Sequence, residues 1–425
     1  MPSSKGKEEH VTMADVQDKI SDFFTVLHED AGRKVAAQDL ATQRPETIAT
    51  GKYFRIRLIE LKRLHPYLRK ELPPVAEDLI CAGREPTLHD PPELALGVFA
   101  LKVMKKSEVI RLKEVDHVKH ETDILSRLHH PFILKVYHRY QDERCLYMVT
   151  EFVQHGTIAE HITRNRMLPN DAARFYLAQI VMALQFLHGE HVVFRNLSAF
   201  SVWLDRNNYV KLVDFSYAKP MDLDSPTARA WSVCGTPEYM APEMVSSKGH
   251  SKEVDWWAFA VLMFEMLSGY PPFFHQSTLE IYKMVQRNEE VAVPQHVSPP
   301  AKDLLKKLFV RAPARRLGSG KNGAEEIKKH KWFRGLNWAS LYNQNMSPLP
   351  LTFANGDPIG SYTDGEPTGD GVPAISLVRT ATGGPDVSNF SHERSPTVTA
   401  YPNSAEEQGP LVDPAKDAEL FAKWA

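Results

Sequence analysis

Three charged residues stand at positions from which they could hold a phosphorylated small molecule. Lys102 ends the alternating run FALK, which predicts a strand, and Glu121 lies on the helix predicted to follow it. A lysine and a glutamate paired in this way set a cation against nucleotide phosphates. Asp214 follows the strand-like run VKLV, where a carboxylate can hold a metal ion that bridges phosphate oxygens. Each of these signals is weak alone.

The strongest signal is CGTPEYMAPE, the segment from Cys234 to Glu243. Its order and its distance after Asp214 are typical of the end of a protein kinase activation segment. The run FRNLSAFS lies between a predicted long helix and the predicted strand SVWL, where kinases carry the catalytic loop. Asp255 and Arg316 then stand where kinases anchor that loop and pair with the last glutamate of the segment. So many segments in one order exclude a chance match.

The chain resembles the AGC family of Ser/Thr protein kinases, and within it the cAMP-dependent protein kinase catalytic subunits. The resemblance runs from about Phe99 to Trp338 and includes GYPPFF, KNGAEEIKKHKWF and the tail segment DVSNF. It is weak before Tyr53 and through the tail. It implies an α+β, two-lobed protein kinase fold. We expect a small antiparallel-sheet lobe with one main helix, a larger helical lobe, and a ligand cleft between them.

The pattern of elements divides the chain into three predicted parts. Residues 1–52 form an N-terminal arm with an amphipathic helix, and residues 334–425 form an AGC-type tail that is largely flexible. Residues 53–333 form the kinase-like domain, with a proline-rich insertion at about residues 66–96. The two lobes cover residues 53–152 and 153–333. The apolar stripe of the predicted arm helix consists of Val16, Ile20, Phe23, Phe24 and Leu27.

The catalytic loop departs from the family pattern. The family aspartate that accepts the proton of the substrate hydroxyl is replaced by Asn196, and an amide cannot act as a base near neutral pH. Loss of a positioned base typically costs roughly a hundred- to ten-thousandfold in rate. Ser198 replaces the lysine that steadies the transferring phosphate, and Ser201 replaces the asparagine that binds the second metal ion. Asp255 and Thr236 complete the predicted catalytic set.

The predicted nucleotide site has changed as well. The family covers the phosphates with a glycine-rich loop, which we expect after YFRIRLI, where the chain reads ELKRLHPY without a glycine. Trp203 replaces a leucine in the floor of the adenine pocket and would fill the space that an adenine ring needs. Ser216 replaces the glycine of Asp-Phe-Gly. Thr150 occupies the gatekeeper position, and Glu151 and Val153 occupy hinge positions.

A possible phosphorylation switch is retained. Ser232 stands at the activation-loop phosphorylation site of the family, and its three phosphate-binding cations are matched by His117, Arg195 and Lys219. A phosphate on Ser232 could accept several charge-assisted hydrogen bonds and order the segment. The alternative is that these residues are only solvated surface charges.

Candidate docking residues are retained on the larger lobe. Trp231 and Tyr282 match residues that the family presents to its inhibitory regulatory subunit, although Trp231 could equally pack locally. Glu238 and Glu265 match two of the acidic residues with which the family selects arginine-rich substrates. Two further acidic positions of that set have been replaced, by Thr157 and Phe200.

The tail ends with an aromatic pair. Phe421 and Trp424 resemble the pair with which AGC tails clamp their own small lobe. We therefore predict that the end of the chain packs on the strand-rich lobe.

Composition sets the remaining limits. The net charge of −2 indicates neither a nucleic-acid binder nor a membrane-surface protein, and we expect no membrane anchor. The start of the chain carries no apolar run of a signal peptide, and Pro2 excludes N-myristoylation. Three scattered cysteines suit a reducing compartment. The expected location is the cytoplasm, with the nucleus as the alternative.

The sequence favours a pseudokinase, meaning a kinase-shaped scaffold, decoy or regulator. Its expected partner is a cAMP-dependent kinase regulatory subunit or a sister kinase. One alternative is an active Ser/Thr kinase that transfers the ATP γ-phosphate to protein substrates through an atypical site, in which a carboxylate of the insertion such as Glu77, Asp78 or Asp90 would replace the missing base. The other is a nucleotide-binding switch without turnover. ATP and magnesium are expected as cofactors only if a nucleotide is bound.

Overall fold

The first part of the chain forms an antiparallel sheet, whose strands are rich in the apolar, aromatic and β-branched residues that favour this structure. The computed structural model describes residues 24–26, 47–50, 53–61, 98–153, 155–205, 207–225, 227–287, 290–346, 412–421 and 424. Within these residues the sheet has six strands in the order β1-β3-β4-β6-β5, and β2 also pairs with β3. The strands are β1 Phe24–Val26, β2 Thr47–Thr50, β3 Phe54–Leu61, β4 Val98–Lys105, β5 Val136–Gln141 and β6 Cys145–Glu151.

Two helices follow β4 directly and pack beside the sheet. Helix α1 spans Lys106–Arg111 and α2 spans Val115–Arg127. The buried face of α2 includes Val118 and Leu125, which recur at helical spacing and face the core. This arrangement places α2 alongside β4, the strand that carries Lys102.

The second part of the chain is mainly helical. Its helices are α3 Ile158–Asn165, α4 Asn170–Gly189, α5 Pro242–Val245, α6 Glu253–Ser268, α7 Thr278–Gln286, α8 Pro299–Leu308, α9 Ala324–Lys328 and α10 Trp338–Tyr342. Short 3₁₀ turns span Pro237–Tyr239, Pro313–Arg315 and Lys331–Phe333. This part also contains two small antiparallel strand pairs. Strand β7 Val192–Val193 pairs with β10 Lys219–Pro220, and β8 Val202–Leu204 pairs with β9 Val210–Leu212.

Helix α6 forms the centre of the helical part. The sequence predicts a fully buried helix here, and both Trp256 and Trp257 are completely buried. The helix ends at Gly269, which has φ +87°, and a Cβ at this position would lie 1.9 Å from the Arg166 carbonyl oxygen. Only glycine fits this C-terminal position without moving the neighbouring backbone. None of the described helices is both long and apolar enough to span a membrane.

The predicted helix of the N-terminal arm is wrong at its C-terminal end. Phe24–Val26 form β1, which pairs antiparallel with β3, with Phe24 opposite Leu61. A free edge of β3 offers unpaired N–H and C=O groups, and a segment with an aromatic, a threonine and a valine suits such an edge. The other four positions of the predicted stripe, Val16, Ile20, Phe23 and Leu27, lie outside the described residues.

The position expected for the phosphate-covering loop is also wrong. Strand β3, which begins with Phe54, is hydrogen-bonded directly to the lysine strand β4 over seven residue pairs. On its other edge β3 pairs with β2, which ends at Thr50, so β2 and β3 are the two strands that precede the lysine strand. In kinases the glycine-rich loop joins these two strands. The sequence between β2 and β3 contains one glycine, Gly51, which lies outside the described residues.

This arrangement also fixes the place of the insertion. The segment between β3 and β4, residues 62–97, contains all the prolines from Pro66 to Pro92. It therefore enlarges the connection from β3 to the lysine strand. The insertion and its candidate carboxylates Glu77, Asp78 and Asp90 lie outside the described residues.

Candidate functional site

A lysine–glutamate ion pair joins the sheet to helix α2. Lys102 Nζ lies 2.6 and 2.8 Å from the two carboxylate oxygens of Glu121. Glu121 is 2% exposed; burial raises the pKa of its carboxyl, and Lys102 opposes that rise. The ring of Phe54, at the start of β3, lies 4.5 Å from Lys102 Nζ. The ammonium group is thus held between a carboxylate and an aromatic face.

The loop between β7 and β8 is fixed by a buried aspartate of α6. Asp255 accepts hydrogen bonds from the backbone N–H groups of Phe194 and Arg195, at 3.0 and 2.8 Å. His188 Nε2 lies 2.8 Å from the same carboxylate. Arg195 has φ +60°, a conformation that a non-glycine residue adopts only when its surroundings enforce it. The predicted anchor of the catalytic loop is therefore in place.

Asn196 is directed at the aspartate that would bind a metal ion. Its Nδ2 donates to Asp214 Oδ2 at 2.9 Å and to the Asp214 carbonyl oxygen at 3.0 Å. Because both partners are acceptors, the amide must present its NH₂ group to Asp214. Asn196 thus acts as a hydrogen-bond donor at the position where a kinase needs a proton acceptor.

The other carboxylate oxygen of Asp214 is also engaged. Ser216 Oγ donates to Asp214 Oδ1 at 2.6 Å, an interaction that a glycine at this position could not make. Asp214 itself has φ +60°. The following residue, Phe215, is fully buried, and its ring lies 4.9 Å from that of Phe194. The aspartate is therefore held at the cleft by a buried neighbour and two local donors.

Ser201 does not face the metal position with a free hydroxyl group. Its Oγ accepts from the Ser198 N–H at 2.9 Å and donates to the Ser198 carbonyl oxygen at 3.1 Å. Both serines are buried. The two replaced positions thus close the catalytic loop on itself.

These contacts do not fit a magnesium site of the kinase type. Magnesium prefers an octahedral shell of oxygen ligands. Both Asp214 carboxylate oxygens carry protein donors, and the Ser201 oxygen is engaged by backbone groups. The Asn196 amide presents N–H bonds, whose positive ends oppose a cation.

The proposed phosphosite lies beside one of its three predicted cations. Arg195 Nη1 donates to Ser232 Oγ at 2.7 Å, and Arg195 Nε donates to the Tyr217 carbonyl oxygen. Lys219 begins β10 and pairs with Val193, two residues before Arg195. His117 Nδ1 lies 2.6 Å from Oε2 of Glu114, the residue directly before helix α2. The His117 imidazole therefore contacts a carboxylate at the start of its own helix.

A buried ion pair closes the activation segment. Arg316 forms two hydrogen bonds with the Glu243 carboxylate, at 2.7 and 3.0 Å. Arg316 also donates to the carbonyl oxygens of Glu253 and Val310. Four of the five N–H groups of this side chain are thus directed at acceptors, which offsets the cost of burying an arginine. The sequence prediction for Arg316 is in agreement with this geometry.

The predicted adenine end of the cleft is assembled from β6 and β8. Thr150 and Val153 are buried, and Thr150 Oγ1 donates to the Glu151 carbonyl oxygen. Glu151 forms an ion pair of 2.8 Å with Lys211 on β9. Trp203 lies on β8 opposite Lys211, and its indole N–H donates to the Phe200 carbonyl oxygen. The Glu151–Lys211 ion pair thus links β6 of the larger sheet to the β8–β9 pair.

The comparison with known proteins decides the family. A model of the protein kinase domain matches residues 95–333, which is more than half of the chain. The chain belongs to the protein kinase family. Its antiparallel sheet lobe and helical lobe confirm the predicted two-lobed kinase fold. The match begins at residue 95, near the end of the insertion, so strands β2 and β3 lie outside the matched range. The place of β3 in the sheet is shown by its pairing with β4.

Relatives of this kinase-family chain include cAMP-dependent protein kinase catalytic subunits. The chain is 42% identical over 246 residues to the catalytic subunit from Dictyostelium discoideum. These residues make up 58% of this chain and 37% of that relative. It is 41% identical over 261 residues to the human cAMP-dependent protein kinase catalytic subunit PRKX, covering 61% and 71%. Identity to the cAMP-dependent protein kinase type 3 of Saccharomyces cerevisiae is 37% over 262 residues, covering 61% and 64%.

One of the two acidic residues retained in this kinase domain, Glu265, is hydrogen-bonded to a tyrosine. The Tyr239 hydroxyl donates to the Glu265 carboxylate. Burial, and secondarily the nearby Glu238, raises the pKa of Glu265 to about 7. The Glu265 carboxyl therefore loses its proton less readily than an exposed glutamate, and a cation placed beside it would favour the charged form.

The predicted docking residues differ in exposure. The Trp231 side chain is 64% exposed on the activation segment, whereas Tyr282 is half-buried and packs against the core of the helical lobe. Phe200 is 54% exposed at its replaced acidic position. Thr157 has a structural role, because it caps α3 in a reciprocal pair of hydrogen bonds with Glu160.

The tail of this kinase-family chain packs on the sheet lobe as predicted. Helix α11 spans Pro414–Phe421, and Phe421 and Trp424 are both buried. They share one apolar cluster with Tyr53 and residues of β4, α1, α2 and β6. Gln141 donates to the Phe421 carbonyl oxygen at 2.9 Å. Within the tail, residues 347–411, 422–423 and 425 lie outside the described residues.

One functional contact was missed by sequence reasoning. Lys106, at the start of α1, is completely buried and forms an ion pair with Asp417 of α11 at 2.7 Å. Lys106 Nζ also lies 5.5 Å from the Phe421 ring. The sequence carries no signal for this pair, since the two residues are 311 positions apart.

Proposed function

We propose that this chain is a catalytically impaired protein kinase that acts as a scaffold, decoy or regulator in kinase signalling. The observation that carries the proposal is the contact from Asn196 Nδ2 to Asp214 Oδ2. A general base must accept a proton from the attacking hydroxyl group, and this side chain donates one hydrogen bond to a carboxylate instead.

The neighbouring positions support the same conclusion. Ser198 cannot supply the positive charge that steadies a transferring phosphoryl group, and Ser201 is engaged by the backbone of Ser198. These groups act as one unit, so restoring one of them recovers little activity. In contrast, the scaffold is retained: Asp255 holds the catalytic loop, and Arg316 holds Glu243.

A phosphate-transfer assay tests the loss of catalysis. The purified full chain is incubated with γ-labelled ATP and an arginine-containing serine peptide, beside Asp214→Ala as the matched background. We expect incorporation by the natural chain to equal that of Asp214→Ala, because the proton acceptor is absent. Incorporation well above this background, with ordinary turnover, would establish the alternative of an active kinase with an atypical site.

The proposed partner is a cAMP-dependent kinase regulatory subunit or a sister kinase. The support is the exposed Trp231 indole, which lies one residue before Ser232 and its contact with Arg195. Exposed aromatic residues of this kind often dominate the energy of an interface. Capture by an immobilised regulatory subunit should therefore weaken in Trp231→Ala, with Phe274→Ala as a control that is equally exposed at 64%. Equal capture of all three proteins would remove Trp231 as the docking residue, and capture of none of them would remove this partner.

The nucleotide-binding switch remains a second candidate because Lys102 and Glu121 are paired as in a site that faces phosphates. Its test is a thermal shift with ATP in Lys102→Met and in the natural chain. A shift that depends on Lys102, without phosphate transfer, supports this candidate.

A further inference from the structure

Each carboxylate oxygen of Asp214 accepts a hydrogen bond from a side chain of the same chain. The Asn196 amide covers Asp214 Oδ2 and the Ser216 hydroxyl covers Asp214 Oδ1, at 2.9 and 2.6 Å. Each donor is a side chain that this sequence places where the family pattern has a different residue. The aspartate therefore has two hydrogen-bond partners from its own chain.

From this geometry we propose that the cleft of this chain is indifferent to divalent cations, because Asn196 and Ser216 each donate to one of the oxygens with which Asp214 would bind magnesium. The inference deepens the proposed function, on which it rests for the assignment of this cleft as a kinase active site. It predicts that Asp214 contributes to no effect of magnesium on the stability of the free chain or on its response to a nucleotide.

The orientation of the Asn196 amide is what opposes a cation. Turning the amide would bring its oxygen against both Asp214 Oδ2 and the Asp214 carbonyl oxygen, which are 2.9 and 3.0 Å from the present nitrogen. A metal ion entering there must displace the NH₂ group from two acceptors at once. The Ser216 hydroxyl must also turn away from Asp214 Oδ1.

The second ligand of a kinase metal pair is missing for a related reason. Ser201 has one hydroxyl proton, which is donated to the Ser198 carbonyl oxygen, and its oxygen already accepts from the Ser198 N–H. Since Ser201 is buried, water cannot easily replace these contacts. Displacing them would leave the Ser198 N–H without this acceptor, while the Ser198 carbonyl oxygen would keep its hydrogen bond from the Ser201 N–H.

Thermal shifts of the full chain test the proposal, with magnesium or manganese alone, with a non-hydrolysable ATP analogue in EDTA, and with both together. We expect the same melting temperature with and without the cation in each pair of samples. A cation-dependent rise that Asp214→Asn abolishes would overturn the proposal. A rise that persists in Asp214→Asn comes from another site, such as the exposed carboxylates of Asp222 and Asp224 beside His191, and agrees with the proposal.

The double variant Asn196→Asp/Ser216→Gly supplies the reverse test. It removes both donors and adds a second carboxylate, so direct manganese binding, measured by electron paramagnetic resonance, should strengthen at least tenfold relative to the natural chain. Circular dichroism and the melting temperature check that the variant is folded. A folded variant with unchanged manganese binding would show that these donors are not what keeps the cation out.

The two proposals fail separately. Phosphate transfer by the natural chain would remove the proposed function and leave the cation result to be read from the thermal shifts. Magnesium binding at Asp214 without transfer would remove the present inference and leave the impaired kinase intact.

Discussion

Single side chains decide the chemistry of this cleft. Asparagine differs from aspartate only in an NH₂ group that replaces one carboxylate oxygen. In Asn196 this group donates a hydrogen bond to Asp214, at the position where the family has a proton acceptor. Ser216 adds a hydroxyl group that glycine lacks. Each substitution alone is compatible with a kinase fold, since neither disturbs the buried Phe194–Phe215 ring pair. What they alter is the direction of the hydrogen bonds at the reacting position.

The raised pKa of Glu265 leads to a prediction at the same scale. A bound arginine would lower this pKa from about 7, so binding of an arginine-containing peptide should release a proton. Affinity is then fully developed above pH 7 and falls as the pH drops below it, by at most about tenfold per unit. Peptide binding followed by fluorescence polarisation from pH 5.5 to 8 measures this dependence.

Glu265→Gln is the control for that titration. It keeps the shape of the side chain and removes its ionisation, so binding should be weaker above pH 7 and nearly independent of pH. A natural chain that binds equally at pH 5.5 and 8 would contradict the assignment of this carboxyl to a cationic ligand.

At the scale of elements, the sequence predicted those features whose residues lie together in a short motif. The lysine strand, the loop that Asp255 holds, the Arg316–Glu243 pair and the aromatic end of the tail all follow from local patterns at fixed spacing. The hairpin was misplaced because the run YFRIRLI identifies a strand but not its neighbour. Only the pairing of β3 with β4 shows that the turn precedes it. The Asn196–Asp214 contact depends on side-chain orientation, which no spacing encodes.

The docking of α11 gives a prediction for one element. Asp417→Ala leaves the ammonium group of Lys106 buried without its carboxylate. Because the Asp417 side chain is 22% exposed, we expect a loss of about 2–3 kcal/mol, somewhat less than for a fully buried pair. Chemical denaturation measures this loss, and faster proteolysis of the tail should accompany it.

Lys106→Met provides the matched background for this pair. A methionine has no charge to leave unpaired, so Asp417→Ala should cost much less in that background. Equal costs in both backgrounds would mean that the ion pair does not hold the tail helix on the lobe.

At the scale of the whole molecule, the largest apolar cluster of the described residues surrounds α6 in the helical lobe. Arg316 contacts the end of the activation segment, the start of α6 and the loop after α8 through three different acceptors. Its side chain is completely buried. This residue therefore connects the end of the activation segment with the central helix.

Arg316→Ala is expected to destabilise the whole lobe by about 3–5 kcal/mol, because it leaves the Glu243 carboxylate buried without a cation. Arg316→Lys keeps the charge but cannot make all four hydrogen bonds, so its cost should be intermediate. Thermal unfolding of the full chain measures both. A melting temperature of Arg316→Ala equal to that of the natural chain would contradict this role.

The uneven burial of the tryptophans has an optical consequence. Trp256, Trp257, Trp332 and Trp424 are shielded inside the protein, whereas Trp231 projects from the activation segment. Acrylamide in solution should therefore quench the red-shifted emission of Trp231 before that of the shielded indoles. A binding partner that covers this segment would protect that fluorescence, which makes the natural chain its own reporter of complex formation without any attached dye.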